Sequence, residues 1–285
     1  TEIKDKIALF CNVPSSHVLQ NLDVEYLYEA PLAMEKENLA QVVCESLHLP
    51  CPEPDLSDWT NMVDKLRHPT TEVNIALVGK YIQLHDAYIS VVEALKHGGI
   101  DNRAVVNIKW IDSETVTREN VGELLGDVNG ILVPGGFGER GVEGMMIASR
   151  YAREHNIPYF GICLGMQLIF DKGYEFEETD GLRLIGGKVE KIDRKDMIIP
   201  HMGWNELVIN RDCPILKSLP EHPYVYFVHS YAAVCDDANV SAYCDYGGKI
   251  TALVHDGAYV YGAQFHPEKS GEVGLQMLRN FAELA

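Results

Sequence analysis

Cys163 stands between two glycines in Gly161-Ile162-Cys163-Leu164-Gly165. The apolar run Tyr159-Phe-Gly-Ile162 precedes it, and a helical run, Met166-Gln-Leu-Ile-Phe170, follows. Strand, turn and helix in that order make the cysteine form of the Gly-x-nucleophile-x-Gly elbow. The glycines allow a sharp turn, which lifts the nucleophile above the strand end in a strained conformation. A helix starting just after Cys163 puts its positive end near the sulfur and favours the thiolate. The free amides there can also hold an oxyanion. The plain alternative is a buried cysteine between glycines that serve only tight packing.

A thiol nucleophile needs a base, and the base needs an orienting group. His266-Pro267-Glu268 follows the apolar run Val260–Phe265 and offers both, two residues apart on an extended chain. His266 is therefore the expected base and Glu268 its orienter. Other histidines, among them His17, His48 and His155, read as ordinary packed or surface residues. Pro134-Gly135-Gly136-Phe137-Gly138 also follows an apolar run and reaches the same sheet edge. Glycines let backbone amides come close to a substrate. An amide near Gly136 is expected to share the oxyanion hole with the amide of Leu164, the alternative being a plain turn.

These pieces need a rigid frame. Val73–Val78 is a near-continuous apolar run, as in a strand buried on both faces. A helix over 88–97 closed by Gly98-Gly99, strands over 105–111 and 130–133, a helix over 143–155 and a strand over 159–162 follow. Strands alternating with helices predict an α/β fold with a doubly wound, mostly parallel central sheet flanked by helices, flavodoxin-like. The second half is richer in strands, expected over 207–209, 224–229, 240–244, 250–255 and 259–265, with a terminal helix over 272–284. Residues 1–71 read as an N-terminal arm: a short strand over 7–10, a helix over 39–47, a proline-punctuated linker over 49–54 and a helix over 58–66. Residues 72–285 form the expected domain.

Forty-two acidic residues against 24 Lys and Arg give a formal charge of -18 across 285 residues. That field repels phosphate backbones, which disfavours a long nucleic-acid partner. No apolar run reaches the roughly 18 residues of a membrane helix. Seven cysteines, an odd number at wide spacing without a signal peptide, fit a reducing, cytoplasmic setting. No His/Cys cluster has zinc spacing, so no metal is expected.

Gly161-Ile-Cys-Leu-Gly-Met-Gln167 and Gln264-Phe-His-Pro-Glu268 together resemble the signatures of the triad (class I) glutamine amidotransferases. The resemblance implies hydrolysis of L-glutamine to glutamate and ammonia. Cys163 would attack the side-chain amide, ammonia would leave with a proton from His266, and water would clear the thioester. It also implies that Gln167 and the backbone of Leu164, Gly165 and Met166 contact glutamine, with His229-Ser230-Tyr231 holding its amino-acid end.

Up to about residue 160 the chain resembles CTP synthase: the end of its synthetase domain, its linker and the start of its glutaminase domain. The carriers are Lys6–Val13, Tyr28–Leu32, Ile75–Tyr81, Val91–His97 and Pro134–Gly144. That resemblance implies ammonia for conversion of UTP to CTP and places Arg140 in a loop linked to GTP activation. ATP and Mg would belong to an absent synthetase domain, leaving no cofactor in this chain. From about residue 161 the chain resembles the glutaminase subunit of imidazole glycerol phosphate synthase. Here the carriers are Gly181–Ile185, Pro200–Asn205, Tyr226–Tyr231 and Phe265–Gly274. By that resemblance Trp204 and Lys269 would face a cyclase barrel subunit, whereas Trp204 taken alone reads equally as a core aromatic. The change of resemblance at the cysteine motif reads as a seam between two family members, a chimera that could be active or a folded, inactive scaffold.

Overall fold

The N-terminal segment is helical wherever it is regular: α1 (Glu2–Cys11), α2 (Ala30–Lys36), α3 (Leu39–Leu47) and α4 (Ser57–Arg67). The computed structural model describes residues 2–136, 138, 140–175 and 177–284, so Phe137 of the glycine loop lies outside them. The chain divides into two compact units, Thr1–Pro69 and Thr70–Ala285. The strand expected over 7–10 is instead part of α1. Ile3 and Ile7 share a face at helical spacing, and Lys6 pairs with Glu2 at 2.8 Å one turn away. Four apolar residues in a row could not distinguish the two.

In the second unit, β1 (Thr71–Gly79), α5 (Ile89–Asp101), β2 (Ala104–Asp112), α6 (Val121–Leu125), β3 (Gly130–Val133), α7 (Val142–Glu154), β4 (Tyr159–Ile162) and α8 (Leu164–Gln167) alternate. Short strands follow: β5 (Lys172–Gly173), β6 (Thr179–Asp180), β7 (Gly187–Lys191), β8 (His201–Glu206), β9 (Val208–Ile209), β10 (Tyr224–His229) and β11 (Tyr231–Cys235). The chain ends with β12 (Val240–Asp245), β13 (Lys249–His255), β14 (Val260–Ala263) and α9 (Gly271–Ala282). The main sheet has the order β2-β1-β3-β4-β14-β13-β12-β9. It is parallel from β2 through β14 and antiparallel beyond.

Alternate residues of β1 enter two separate cores, so the sheet is the middle of three layers. Ile75 and Leu77 pack with Val91 and Leu95 of α5 and Met277 and Phe281 of α9. Ala76 and Val78 pack with Leu125 of α6 and Met145 and Ala148 of α7. Gly98 and Gly99 do not close α5, which runs on to Asp101. Their role is close approach. A Cβ on Gly98 would sit 3.2 Å from the Arg279 backbone on α9, and one on Gly99 would sit 2.5 Å from Val106 on β2.

Two smaller sheets, β10-β8 and β11-β7-β5-β6, lie outside the expected strand set except for β10. Most of the unexpected strands are short and carry charges, as in Gly187-Lys-Val-Glu-Lys191, so they lack an apolar run; β11, Tyr231-Ala-Ala-Val-Cys235, is apolar but follows β10 after a single residue and so does not stand out as a separate strand. The parallel strands β1, β3, β4 and β14 all end at one edge of the main sheet, where a doubly wound fold places its ligands.

Candidate active site

Cys163 follows β4 with φ 51° and ψ -103°, a strained conformation for a residue with a side chain. Two glycines make the turn possible through space rather than dihedral freedom. A Cβ on Gly161 would lie 2.4 Å from the Gly165 carbonyl oxygen, and one on Gly165 would lie 2.3 Å from that of Val133. Gly262 of β14 pairs with Gly161 and leaves room for Met166 in the same way. Tyr159, fully buried on β4, donates its hydroxyl to the Gly165 carbonyl at 2.9 Å and pins the elbow from below. The amides of Leu164, Gly165 and Met166 open α8, so no carbonyl within the helix satisfies them.

His266 arrives from the end of β14. Its Nδ1–H donates to Glu268 Oε1 at 2.8 Å, and both side chains are buried. Burial works against a charge on His266. The hydrogen bond to Cys163, then the hydrogen bond and charge of Glu268, outweigh it and push the imidazole up to about 9. Cys163 and His266 meet over Gly135. A Cβ there would be 3.0 Å from His266 Cε1 and 3.5 Å from Cys163 Cβ, so a side chain at this position would part them. The nucleophile, base and orienter expected from sequence are thus together, with an imidazolium beside the sulfur.

The glycine loop is anchored from the end of β1. Lys80, almost wholly buried, passes along Gly136 and donates through Nζ to the Gly138 carbonyl. Desolvation, then the nearby Arg140 charge, lower the Lys80 ammonium below its ordinary value, against the pull of Glu175 and Glu114. Tyr88 accepts from the amides of Lys80 and Tyr81 at 3.1 and 3.3 Å, which fixes the turn carrying the lysine. Arg140 pairs with Glu114 at 2.9 Å.

Hollows open on both sides of the elbow. One, on the α5 side, is lined by Tyr88, Gly136, Cys163, Tyr226, His266 and Glu268. The other, on the α7 side, is lined by Met146, Leu164, Gln167, Tyr174, Glu175 and Val189. Gln167 and Leu164 therefore line a hollow, while Gly165 and Met166 are buried and can offer only backbone. Tyr231 reaches the same hollow's rim, donating its hydroxyl to the Glu175 carbonyl at 2.7 Å.

His229 does not turn its ring outward. It shares a hydrogen bond with His201 at 3.0 Å, and its Nδ1–H donates to the Tyr231 carbonyl at 2.7 Å. Desolvation pushes it down to about 4. Ser230 accepts through its carbonyl from Ile192 at 2.9 Å, which ties the β10–β11 turn to the end of β7. Trp204 is 54% exposed and meets Tyr226 edge-on at 6.0 Å, so it is no core aromatic. Lys269 is exposed at the rim of the α5-side hollow.

Sequence reasoning missed several positioning groups. Ser270 joins β10 to the base, donating to the His266 carbonyl at 2.6 Å and accepting from the Tyr226 amide at 3.0 Å. Lys80, Tyr88 and Glu175 belong with it. A lone lysine or glutamate in a charged chain carries no spacing signal. Among the described residues, no group of three His, Cys, Asp or Glu is placed to hold a metal ion, and no helix is long and apolar enough to cross a membrane.

Residues 83–284 match the family model for class-I glutamine amidotransferases, and residues 1–49 match that for the CTP synthase N-terminus. A CTP synthase from Bacillus mycoides is 41% identical over 281 residues, covering 95% of this chain and 49% of the relative. One from Clostridium kluyveri is 58% identical over 166 residues, 58% of this chain and 31% of the relative. The chain thus spans half or less of the length of these relatives. The glutaminase domain of Trypanosoma brucei CTP synthase, solved with bound acivicin, superposes with a TM-score of 0.60 at 28% identity. It covers 74% of this chain, which covers 94% of that domain. The amidotransferase match runs unbroken across the cysteine motif, and these relatives lend no support to a seam there or to the imidazole glycerol phosphate synthase resemblance.

Proposed function

The chain belongs to the class-I glutamine amidotransferases, and from that premise we propose that it is the glutaminase part of a CTP synthase, hydrolysing glutamine to supply ammonia to a synthetase domain. The observation that carries this reading is the meeting of a strained Cys163 with a buried, Glu268-bound His266 over Gly135. Glutamine lies across the elbow, its carboxamide on the α5 side, where Cys163 and Gly136 line the hollow, and its amino group toward Glu175 on the α7 side. The Cys163 thiolate attacks the amide carbon. The developing oxyanion is held by the amides of Leu164 and Gly136. His266 gives its proton to the departing ammonia, then takes one from the water that hydrolyses the thioester.

The acceptor is proposed from similarity and from exposed surface. In the first unit, Ile3, Leu9 and Phe10 of α1 lie open, with Phe10 89% exposed, as on a piece of a larger domain. In the second unit, Lys269 at the rim of the α5-side hollow and exposed Trp204, edge-on to the hollow-lining Tyr226, form a docking face for the protein that takes up ammonia. A nucleotide such as GTP engaging Arg140 would compete with Glu114 for it.

Glutamate release from glutamine is the test. Cys163→Ala should abolish it in a chain that still unfolds cooperatively, and near-parental turnover in that variant would sink the assignment. Stimulation by a CTP synthase synthetase domain supports the acceptor proposed. Stimulation by a cyclase barrel subunit instead would favour the imidazole glycerol phosphate synthase reading. A folded chain inert under all conditions would be a scaffold.

A further inference from the structure

Gln264 is the first residue beyond β14 and is fully buried. Its orientation is forced by a chain of side-chain amides. The chain starts at the Tyr231 carbonyl, which can only accept. Gln167 Nε2 donates to that carbonyl at 3.2 Å, so the NH₂ end of Gln167 lies there. The same nitrogen donates its second hydrogen to Gln264 Oε1 at 3.0 Å. With its oxygen thus engaged, Gln264 presents Nε2 to Cys163 Sγ at 3.6 Å, an N–H···S distance. Turning either amide over would set oxygen against oxygen or oxygen against sulfur. A backbone carbonyl on β11 therefore dictates, through two side chains, that the Cys163 sulfur meets a donor.

We propose that Gln264 is a further catalytic residue, whose side-chain amide donates a hydrogen bond to the Cys163 sulfur, aims it and steadies its negative charge. The inference rests on Cys163 being the nucleophile. A hydrogen bond to an ionised acceptor is stronger than one to a neutral acceptor, so the amide favours thiolate over thiol. No proton is transferred by Gln264. In the attack, a sulfur electron pair forms the S–C bond and the carbonyl π pair moves to oxygen. When water expels the thioester sulfur, the S–C pair returns to sulfur and meets the same N–H. His266 handles the protons throughout, so the sulfur is served by a base and by a fixed neutral donor.

The test is alkylation of Cys163 by iodoacetamide in the full chain, read on its own peptide by mass spectrometry from about pH 5 to about pH 10. The titratable groups lining the hollow that Cys163 faces, Tyr81, Tyr88, Tyr226, His266, Glu268 and Lys269, are unchanged by substitution at 264. For Gln264→Met we expect the rate at pH 6 to fall about tenfold and the high-pH plateau to stay within about twofold. The midpoint then moves up by about one pH unit. Gln264→Glu, with the same shape but an anion in place of the donor, should move it further. A Gln264→Met profile that overlays the parent's in a folded protein overturns the proposal whatever the melt, because a merely structural glutamine would change the melt and not the midpoint. Should Gln264→Met fail to fold, Gln167→Met removes the group that turns the amide. A smaller upward shift there supports the proposal and an unmoved midpoint overturns it. If parental Cys163 shows the same profile as the exposed Cys51, the nucleophile assignment itself fails, visibly before any variant is made.

Discussion

Gly135 shows how little room separates a working pair of side chains from a broken one. Its Cβ position touches both Cys163 and His266, so Gly135→Ala must displace one of them by a few tenths of an ångström or more. We expect glutamate release to fall about tenfold, and toward 10²-fold if the displacement nears about 1 Å, with little change in melting temperature. Full activity would show that the pair does not act together. Glu268→Gln keeps a hydrogen-bonding partner for Nδ1 but removes the charge that helps hold His266 protonated. Its kcat should fall less than that of His266→Ala, and equal or reversed losses would exchange or void the two roles. The proposed triad was legible because each member sits in a short pattern with a physical reason: glycines for the turn, and a proposed base and its orienter two residues apart. Gln264 and Ser270 lay inside the same quoted segments yet were silent, because their roles depend on partners about a hundred and 44 residues away, which spacing cannot show.

At the scale of elements, β8 and β10 hold a buried histidine pair whose protonation bears on stability. His229 lies near 4 when folded, against 6.5 for a free histidine, mainly through desolvation. The unfolded chain therefore binds the extra proton first. The stability contributed is present above pH 6.5 and is lost as pH falls toward 4, by at most about 3 kcal/mol. His201 is lowered in the same direction. His266, raised to about 9, has the opposite sign. Its contribution is full below pH 6.5 and is lost as pH rises through 9. Urea midpoints should thus decline on both sides of about pH 6.5, with His229→Gln flattening the acid limb and Cys163→Ala the alkaline one. Limbs unaffected by these changes would place the titrating groups elsewhere. The β8–β10 ribbon was half legible: Tyr224–His229 reads as a strand from its apolar alternation, whereas His201-Met-Gly-Trp-Asn-Glu206 has neither an apolar run nor β-branched residues.

For the whole molecule, all the proposed catalytic residues lie within Thr70–Ala285. A chain starting at Thr70 should therefore keep its Cys163-dependent glutamate release within about threefold, since it retains both cores and every partner of the triad. Loss of release with the fold intact would mean that the first 69 residues contribute to the site. The three-layer plan of this unit was readable from strand–helix alternation, but the strand order was not, because nothing local in Val260–Ala263 says that it pairs with β4 rather than with a neighbour in sequence. That pairing sets the order in which the molecule can be completed on the ribosome. When β4 emerges, one of its edges joins β3 and the other stays open for nearly a hundred residues, until β14 arrives carrying the histidine behind it. The centre of the sheet is the last part to be filled. A nascent or prematurely terminated chain thus presents an apolar strand with one open edge, a target for chaperones and for self-association. Closing the sheet and bringing His266 to Cys163 are one event, so a chain cut short before β14 can expose its thiol without acquiring the histidine proposed as its base.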